Sequence, residues 1–238
     1  ALFSYEFSPA VRFFAEGKYV TNNAFSISQP SFDFGTLLQA DNYFLNQRYG
    51  DLVTQDALFN RDNFDLGQRA EYNKRKTWRA VVGFDGEISD HASYEISYVY
   101  CQTNARTINT HIRIEDRYFA SLDVVDDGAG NPICRINLDS SATVDPTEWN
   151  YEGGPVSFAA GANSGCVPLN LLGEGVASVD AINWMTRDAL ANSKVAQHVV
   201  SGSISGDFGQ FFELPGGPVG FAIGAEYRKE KSSTGFDE

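Results

Sequence analysis

Residues 77–102 constrain the fold of this chain more than any other stretch, because apolar and polar side chains alternate on both sides of one short turn. A period of two residues indicates a β-strand with one apolar face and one polar face. Each arm has about the 11 residues that a tilted strand needs to cross a bilayer, and aromatic residues stand near the outer ends of the apolar face. The hairpin is therefore predicted to span a membrane. Its apolar or small positions are Trp78, Ala80, Val82, Phe84, Gly86 and Ile88 on the first arm and Tyr94, Ile96, Tyr98 and Tyr100 on the second.

The same alternation occurs near both ends of the chain, so the sequence predicts an all-β fold with about six antiparallel strands in three hairpins. Short turns close one end of every hairpin, and the long connections 20–76 and 103–196 lie at the other end. This asymmetry is typical of a transmembrane β-barrel with short periplasmic turns and long extracellular loops. The predicted strands lie near residues 1–8, 11–20, 77–88, 93–102, 198–208 and 218–228.

The two long connections are predicted to be ordered, because they contain many Phe, Tyr and Leu residues, in which disordered segments are poor. Two short helices are expected in the second connection. One runs over residues 115–125 and places Tyr118 and Leu122 on one face. The other begins after the N-cap residue Ser178 and ends near Leu190. Such helices are expected to pack the loop onto itself.

Charge and hydropathy limit the classes of partner and of membrane attachment. A formal net charge of −13 argues against a nucleic-acid partner, because a phosphate backbone needs clustered Lys and Arg. No apolar run reaches the roughly 18 residues of a membrane-spanning helix. The chain shows no signal peptide and opens inside a predicted strand, so we expect it to be an internal piece of a longer, processed protein.

No catalytic, cofactor or metal site is predicted, and the chain is not expected to be an enzyme. Its three cysteines form no Cys-x-x-Cys pair, which argues against zinc. The acidic run around Asp126 and Gly128 misses the ligand spacing of a calcium loop, and the three histidines are scattered. No Ser-His-Asp set, phosphate loop or paired acid stands in a recognisable context.

Several motifs give the chain a resemblance to a known family. Two of them lie in the second long connection: Cys134-Arg135, and Gly-Cys-Val-Pro-Leu-Asn at residues 165–170. A strand motif at residues 224–230 is Gly-Ala-Glu-Tyr-Arg-Lys-Glu. With these motifs the whole chain resembles the barrel of TonB-dependent receptors, and most of all a proteobacterial subgroup whose loops carry the two cysteine motifs. The resemblance implies a barrel of about 22 strands with a plugged lumen, of which this chain supplies about six.

The resemblance also implies a function. Such a protein lies in the outer membrane of a Gram-negative bacterium and actively imports a scarce nutrient, which is an iron chelate, cobalamin or an oligosaccharide. Its implied partners are outer-membrane lipid, the substrate, and the TonB complex, which acts through a plug region that this sequence does not contain. No cofactor is implied. Two alternatives stay open: a soluble β-rich glycan-binding module and a passive porin-like channel.

Three sets of site residues follow from this resemblance. Cys134 and Cys166 would lie outside the cell, where an oxidising environment favours a disulfide between them, whereas Cys101 is expected to stay unpaired. Two basic clusters at the extracellular rim are candidate contacts for the phosphate of outer-leaflet lipid, or else a solvated rim. They consist of Lys74, Arg75 and Lys76 and of Arg228 and Lys229. Four loop aromatics are candidates to face the substrate, or else form the core of the loop itself: Trp149, Tyr151, Phe158 and Trp184.

The polar faces of the strands are predicted to line the lumen of the barrel. Their charged side chains are expected to hydrogen-bond each other and the plug rather than the substrate. These residues are Glu6, Arg12, Glu16, Lys18, Arg79, Asp85, Glu87 and Glu95.

Overall fold

The computed structural model describes residues 1–142, 156–212 and 214–237. The strands of the described residues are β1 (Leu2–Ser8), β2 (Val11–Ile27), β3 (Phe32–Leu38), β4 (Ala57–Asp62), β5 (Ala70–Ser89), β6 (Ala92–Arg113), β7 (Val124–Asp126), β8 (Pro132–Cys134), β9 (Thr186–Asp207) and β10 (Gly220–Phe236). The α-helices are α1 (Tyr43–Tyr49), α2 (Glu115–Leu122), α3 (Arg135–Leu138) and α4 (Val179–Met185). The chain divides into two compact units, a first made of Ala1–Ala24, Tyr72–Thr107 and Leu190–Glu238 and a second made of Phe25–Glu71 and Ile108–Ala189.

The first unit contains one antiparallel sheet with the strand order β1-β2-β5-β6-β9-β10. Strands that follow each other across a short turn pair as hairpins; for example, Glu6 of β1 lies opposite Arg12 of β2, and Ser201 of β9 lies opposite Glu226 of β10. β1 and β10 form the two edges, so the described strands do not close into a barrel. The prediction of a large antiparallel sheet is thus confirmed, and its location in a membrane stays a prediction.

The strands of this sheet are longer than the alternation predicts. β6 continues to Arg113 and β9 begins as early as Thr186, whereas the alternation ends near residues 102 and 198. In these extensions the side chains are mostly polar on both faces, so the hydrophobic pattern disappears although the backbone pairing continues. β10, for example, stays paired with β9 as far as Phe236. The long connections are shorter than predicted, because part of each belongs to the strands.

The second unit has its own hydrophobic core, so both long connections contain ordered structure. The hairpins β3–β4 and β7–β8 and the four helices belong to it. The alternation does not predict the β3–β4 hairpin, because a register shift between Asp33 and Thr36 interrupts the period of two. The buried apolar residues of this core are Leu38, Leu45, Leu66, Tyr118, Phe119, Leu122, Leu169, Leu171, Ala181 and Met185.

The helices α2 and α4 begin where the sequence predicts, and both end earlier. Ser178 is the N-cap of α4, because its hydroxyl accepts a hydrogen bond from the backbone N–H of Ala181 at 3.1 Å. α4 ends at Met185 instead of near Leu190, because Thr186 already belongs to β9. Pairing in a sheet outweighs the weak helical spacing of these residues, since a short isolated helix is only marginally stable.

Candidate functional site

The two faces of the six-stranded sheet differ in exposure and in chemistry. On the apolar face, large side chains stay exposed, for example Ile96 by 49% and Ile223 by 72%. Aromatic rings continue this face across β1, β2 and β5, where the Phe13 ring centroid lies 6.2 Å from that of Phe3 and 5.3 Å from that of Phe84. A contiguous exposed apolar face is unusual for a soluble monomer, and it marks a surface that meets apolar surroundings.

The opposite face of the sheet is polar, and its side chains hydrogen-bond one another. Arg12 Nε donates to Asp85 Oδ1 at 2.7 Å, and Arg79 Nη1 donates to Glu16 Oε1 at 2.9 Å, so that both pairs join β2 to β5. All four residues are among those predicted to face the lumen. Polar groups are therefore paired on one face while the apolar groups of the other face stay exposed, which is the reverse of a sheet in a soluble protein.

Aromatic residues and one histidine end the apolar face on the side of the long connections. The Tyr98 hydroxyl lies 2.7 Å from His198 Nδ1, and the ring centroid of Tyr100 lies 4.9 Å from that of His198. Trp78 of β5 and Tyr227 of β10 follow the same alternation as these residues. We call these five residues the aromatic belt. Rings that carry a polar atom are typical of a boundary between apolar and aqueous surroundings.

Beyond the aromatic belt lies a groove of about 550 Å³, which is lined by four cations together with small and amide side chains. The cations are Lys74 and Lys76 of β5, Arg106 of β6 and Lys194 of β9, and we call the site the cationic groove. All four side chains are exposed. The groove lies wholly within the first unit.

Contacts on the polar face establish which face of β5 and β6 carries these cations. Thr77 Oγ1 lies 2.8 Å from Thr103 Oγ1, and the Thr107 hydroxyl donates to Asn73 Oδ1 at 2.5 Å. The odd-numbered residues of this region therefore share the polar face. Because side chains alternate along a strand, the even-numbered cations of β5 and β6 point to the same side as the apolar face and the aromatic belt.

The five basic residues expected at the rim separate into two groups. Lys74 and Lys76 line the cationic groove, and Lys229 lies on the same face through its pairing with β9. Arg75 stands between the two lysines in sequence, so it points to the polar face. Arg228 also belongs to the polar face, where it forms ion pairs with carboxylates of its own strand.

Two residues of the cationic groove, Arg106 and Lys194, were not found by sequence analysis. Each is isolated from other cations in the sequence, so no basic cluster marks it. The only signal was that both residues are even-numbered, as are Tyr100 and His198 of the aromatic belt on the same strands. Residues separated by an even number of positions point to the same side of a strand. That signal becomes useful only after the strands are known to continue beyond the apolar segment.

In the second unit, Cys134 and Cys166 form the expected disulfide, with their Cα atoms 6.2 Å apart, whereas Cys101 is free. Phe158 and Trp184 pack against the cluster around this disulfide, and their ring centroids lie 5.3 Å apart. These two aromatics thus contribute to a small core of the second unit. The two remaining loop aromatics lie outside the described residues: Trp149 and Tyr151.

A buried carboxylate organises the polar centre of the second unit. The Asp33 side chain has no exposed surface, and it accepts hydrogen bonds from Arg113 at 2.6 Å, from the Tyr118 hydroxyl at 2.6 Å and from Asn63 Nδ2 at 2.7 Å. Burial by itself lowers the pKa of Arg113, but the hydrogen bond to Glu115 and the surrounding negative charge outweigh burial and raise it. A buried charge paired in this way holds β3, the end of β6 and α2 in one arrangement.

No group of three or more His, Cys, Asp or Glu residues in the described parts of the chain is placed to hold a metal ion. In the acidic turn, the Asp127 carboxylate accepts hydrogen bonds from the Asn131 side chain and from backbone N–H groups, and these bonds lower the pKa of Asp127. The carboxylate therefore stabilises the turn itself. Within the same described parts, no helix is both long enough and apolar enough to cross a membrane.

Comparisons of the chain with protein-family models, with curated proteins and with solved structures found no match. The candidate site is therefore defined by the geometry of this chain alone. It lies within the first unit and consists of an exposed apolar face, the aromatic belt beside it and the cationic groove beyond the belt.

Proposed function

We propose that this chain is part of a TonB-dependent transporter, which imports a scarce nutrient across the outer membrane of a Gram-negative bacterium. The six-stranded sheet forms a section of the barrel wall. The second unit, which the chain inserts between β2 and β5 and between β6 and β9, forms extracellular loops. These loops help to bind an iron chelate, cobalamin or an oligosaccharide, and the TonB complex supplies the energy through the plug.

The observation that carries the proposal is the exposed apolar face opposite a hydrogen-bonded polar face. In lipid, backbone groups must be paired within the sheet, apolar side chains must face outward, and polar side chains must face a lumen. The inner strands of this sheet are paired on both sides and carry apolar side chains on one face and polar side chains on the other, which supports the proposal. The unpaired outer edges of β1 and β10 are expected to pair with further strands, because lipid cannot satisfy their N–H and C=O groups.

The alternatives differ from this proposal in what covers the apolar face and in the source of energy. A soluble glycan-binding module would need a second layer over the apolar face, since a sandwich buries the facing sides of two sheets. The first unit has a single six-stranded sheet, which favours the transporter. A passive porin would share the same wall, so only energy coupling separates it from an active transporter.

The first experiment tests membrane insertion. The whole protein to which this chain belongs is expressed in a Gram-negative host. Its soluble, inner-membrane and outer-membrane fractions are then separated, and the protein is located among them. We expect it in the outer-membrane fraction, resistant to carbonate extraction and soluble only with detergent. A chain that stays monodisperse in detergent-free buffer would support the glycan-binding module and contradict the transporter.

The second experiment tests active import. Cells with and without the gene are supplied with labelled ferric chelates, cobalamin or oligosaccharides, each with and without a proton-motive-force uncoupler. We expect uptake of one nutrient class to require the gene, and the uncoupler to abolish that uptake. Gene-dependent uptake that the uncoupler leaves unchanged would indicate a passive channel.

A further inference from the structure

We infer that the cationic groove binds the phosphate groups of a lipid headgroup in the outer leaflet. The inference rests on the proposed function, because it requires the apolar face of the sheet to lie in lipid. It goes beyond a general basic rim, since it assigns four particular side chains from three strands to one site: Lys74, Lys76, Arg106 and Lys194.

The four cations of the groove have no anionic partner within the described chain. None of the four side chains forms an ion pair or a side-chain hydrogen bond with a described residue. Three arginines of the polar face are different, because Arg12, Arg79 and Arg228 each pair with a carboxylate. In a chain of net charge −13, four neighbouring unpaired cations repel one another, and a bound anion would offset that repulsion.

The groove lies beyond the aromatic belt along the strands, on the same face of the sheet. Lys76 is two residues beyond Trp78 on the same face, which corresponds to about 7 Å along the strand. The headgroup region of each leaflet extends roughly 5–8 Å beyond the hydrocarbon core, so Lys76 lies at the depth of lipid phosphates when Trp78 lies at the boundary. Lys74, Arg106 and Lys194 lie further out and reach back with long, flexible side chains.

The chemistry of the groove lining suits a phosphate group. The groove has no carboxylate among its lining residues, and the amides of Asn104 and Asn192 and the hydroxyls of Ser193 and Ser233 add neutral donors. Several cationic and neutral donors around one space suit a phosphomonoester, which carries more negative charge and more free oxygens than the phosphodiester of an ordinary glycerophospholipid. We therefore assign the site to a lipid with phosphomonoester groups.

The test compares lipids that share their acyl chains and differ only at the headgroup. The full-length protein is placed in nanodiscs of dioleoylphosphatidylcholine that contain a minor fraction of dioleoylphosphatidic acid, dioleoylphosphatidylglycerol or dioleoylglycerol. Native mass spectrometry then measures how much of each guest lipid stays bound. We expect phosphatidic acid to bind about tenfold more tightly than phosphatidylglycerol, the difference expected for one additional charge-assisted hydrogen bond, and dioleoylglycerol not to be retained.

Variants then locate the binding site. Lys76→Gln combined with Arg106→Gln is expected to weaken phosphatidic acid binding about a hundredfold, since two charge-assisted contacts worth about tenfold each are lost. The matched control is Lys18→Gln combined with Arg75→Gln, which also removes two charges, here from exposed positions on the polar face of the sheet. It is expected to leave binding within about twofold, the change typical of a neutral surface substitution.

The outcomes separate this inference from the proposed function. A protein that does not enter the nanodisc contradicts the proposed function and the inference together. An inserted protein that binds phosphatidic acid and dioleoylglycerol equally contradicts only the inference. Equal losses from the Lys18→Gln, Arg75→Gln pair and from the Lys76→Gln, Arg106→Gln pair would show general electrostatic attraction and would also overturn the assigned site.

Discussion

The hydroxyls of Ser97 and Ser201 lie 2.9 Å apart, although 104 positions separate the two residues in the sequence. Their immediate neighbours Ile96 and Val200 point to the other side of the same strands and stay 49% and 44% exposed. Along both β6 and β9, one residue therefore forms a cross-strand hydrogen bond, and its neighbour exposes an aliphatic side chain on the other face. This inversion supports the proposal that the apolar face lies in lipid.

Arginine at Val82 or Ile96 tests this orientation. If these side chains face lipid near mid-membrane, each substitution should lower the free energy of folding into lipid vesicles by about 2–4 kcal/mol. The matched control is Ser203→Arg, because Ser203 is exposed on the polar face and shares a groove with Asp85 and Glu95. A denaturant titration in vesicles measures all three. Equal costs on both faces would rule out the orientation.

Alanine at Gly86 or Gly206 tests the close packing of strands near the short turns. A Cβ at Gly86 would lie 2.1 Å from the Ala10 carbonyl oxygen, and one at Gly206 would lie 2.1 Å from the His91 carbonyl oxygen. Since backbone cannot move aside cheaply, each change should destabilise the fold by about 1–3 kcal/mol in a urea titration in detergent. Gly17→Ala is the control, because nothing lies within 4 Å of its Cβ position, and it should be neutral or slightly stabilising.

The Asp65 carboxylate makes the stability of the second unit depend on pH. Burial by itself raises the pKa of Asp65, but hydrogen bonds from Arg61 at 2.7 Å and from the Gly175 backbone N–H at 2.6 Å outweigh burial and lower it below its ordinary value of 3.8. Because the folded-state pKa is lowered, the Asp65 carboxylate stabilises the second unit fully at pH values above its unfolded-state pKa. This stabilisation disappears as the pH falls through the folded-state pKa.

Asp65→Asn should therefore destabilise the second unit at pH 7 by roughly 1.5–3 kcal/mol, the usual worth of hydrogen bonds to a charged group. The difference from the unchanged protein should shrink as the pH falls below about 4. Thermal unfolding of both proteins across that range measures the effect. Asp51→Asn is the control, since Asp51 lies in the same unit, is exposed and makes no side-chain hydrogen bond or ion pair with a described residue. A difference that stays constant down to low pH would show that the carboxylate charge is not the cause.

Loss of the disulfide should weaken substrate uptake without removing the barrel from the membrane. Cys134 and Cys166 are 32 positions apart, and opening such a loop costs roughly 3–4 kcal/mol on the chain-entropy model. Cys134→Ser should therefore loosen the second unit while the sheet of the first unit persists. Uptake and outer-membrane abundance are measured in the same cells, with Cys101→Ser as the control for losing a free thiol. If abundance falls as far as uptake does, the disulfide serves assembly rather than substrate choice.

The sequence predicts well those elements whose pattern is local. The period of two around Val82 and Ile96 identifies both the strands and their apolar face, because neighbouring side chains of a strand always point to opposite sides. Ser178 marks the start of α4 for a similar reason, since an N-cap acts within three residues of itself. The β3–β4 hairpin was missed because its register shift removes the local period, although its backbone pairing is intact.

What the sequence by itself determined is the hairpin pattern and the apolar face of the strands. Only the tertiary structure decided which cations share one groove, because Lys76, Arg106 and Lys194 lie far apart in the sequence and meet only when β5, β6 and β9 align beyond the apolar segment. It likewise decided that Arg228 forms an ion pair with Glu226 on the polar face. The physical reason is that hydrophobic periodicity specifies which way a side chain points, whereas the register between strands, set by backbone pairing, specifies which side chains become neighbours.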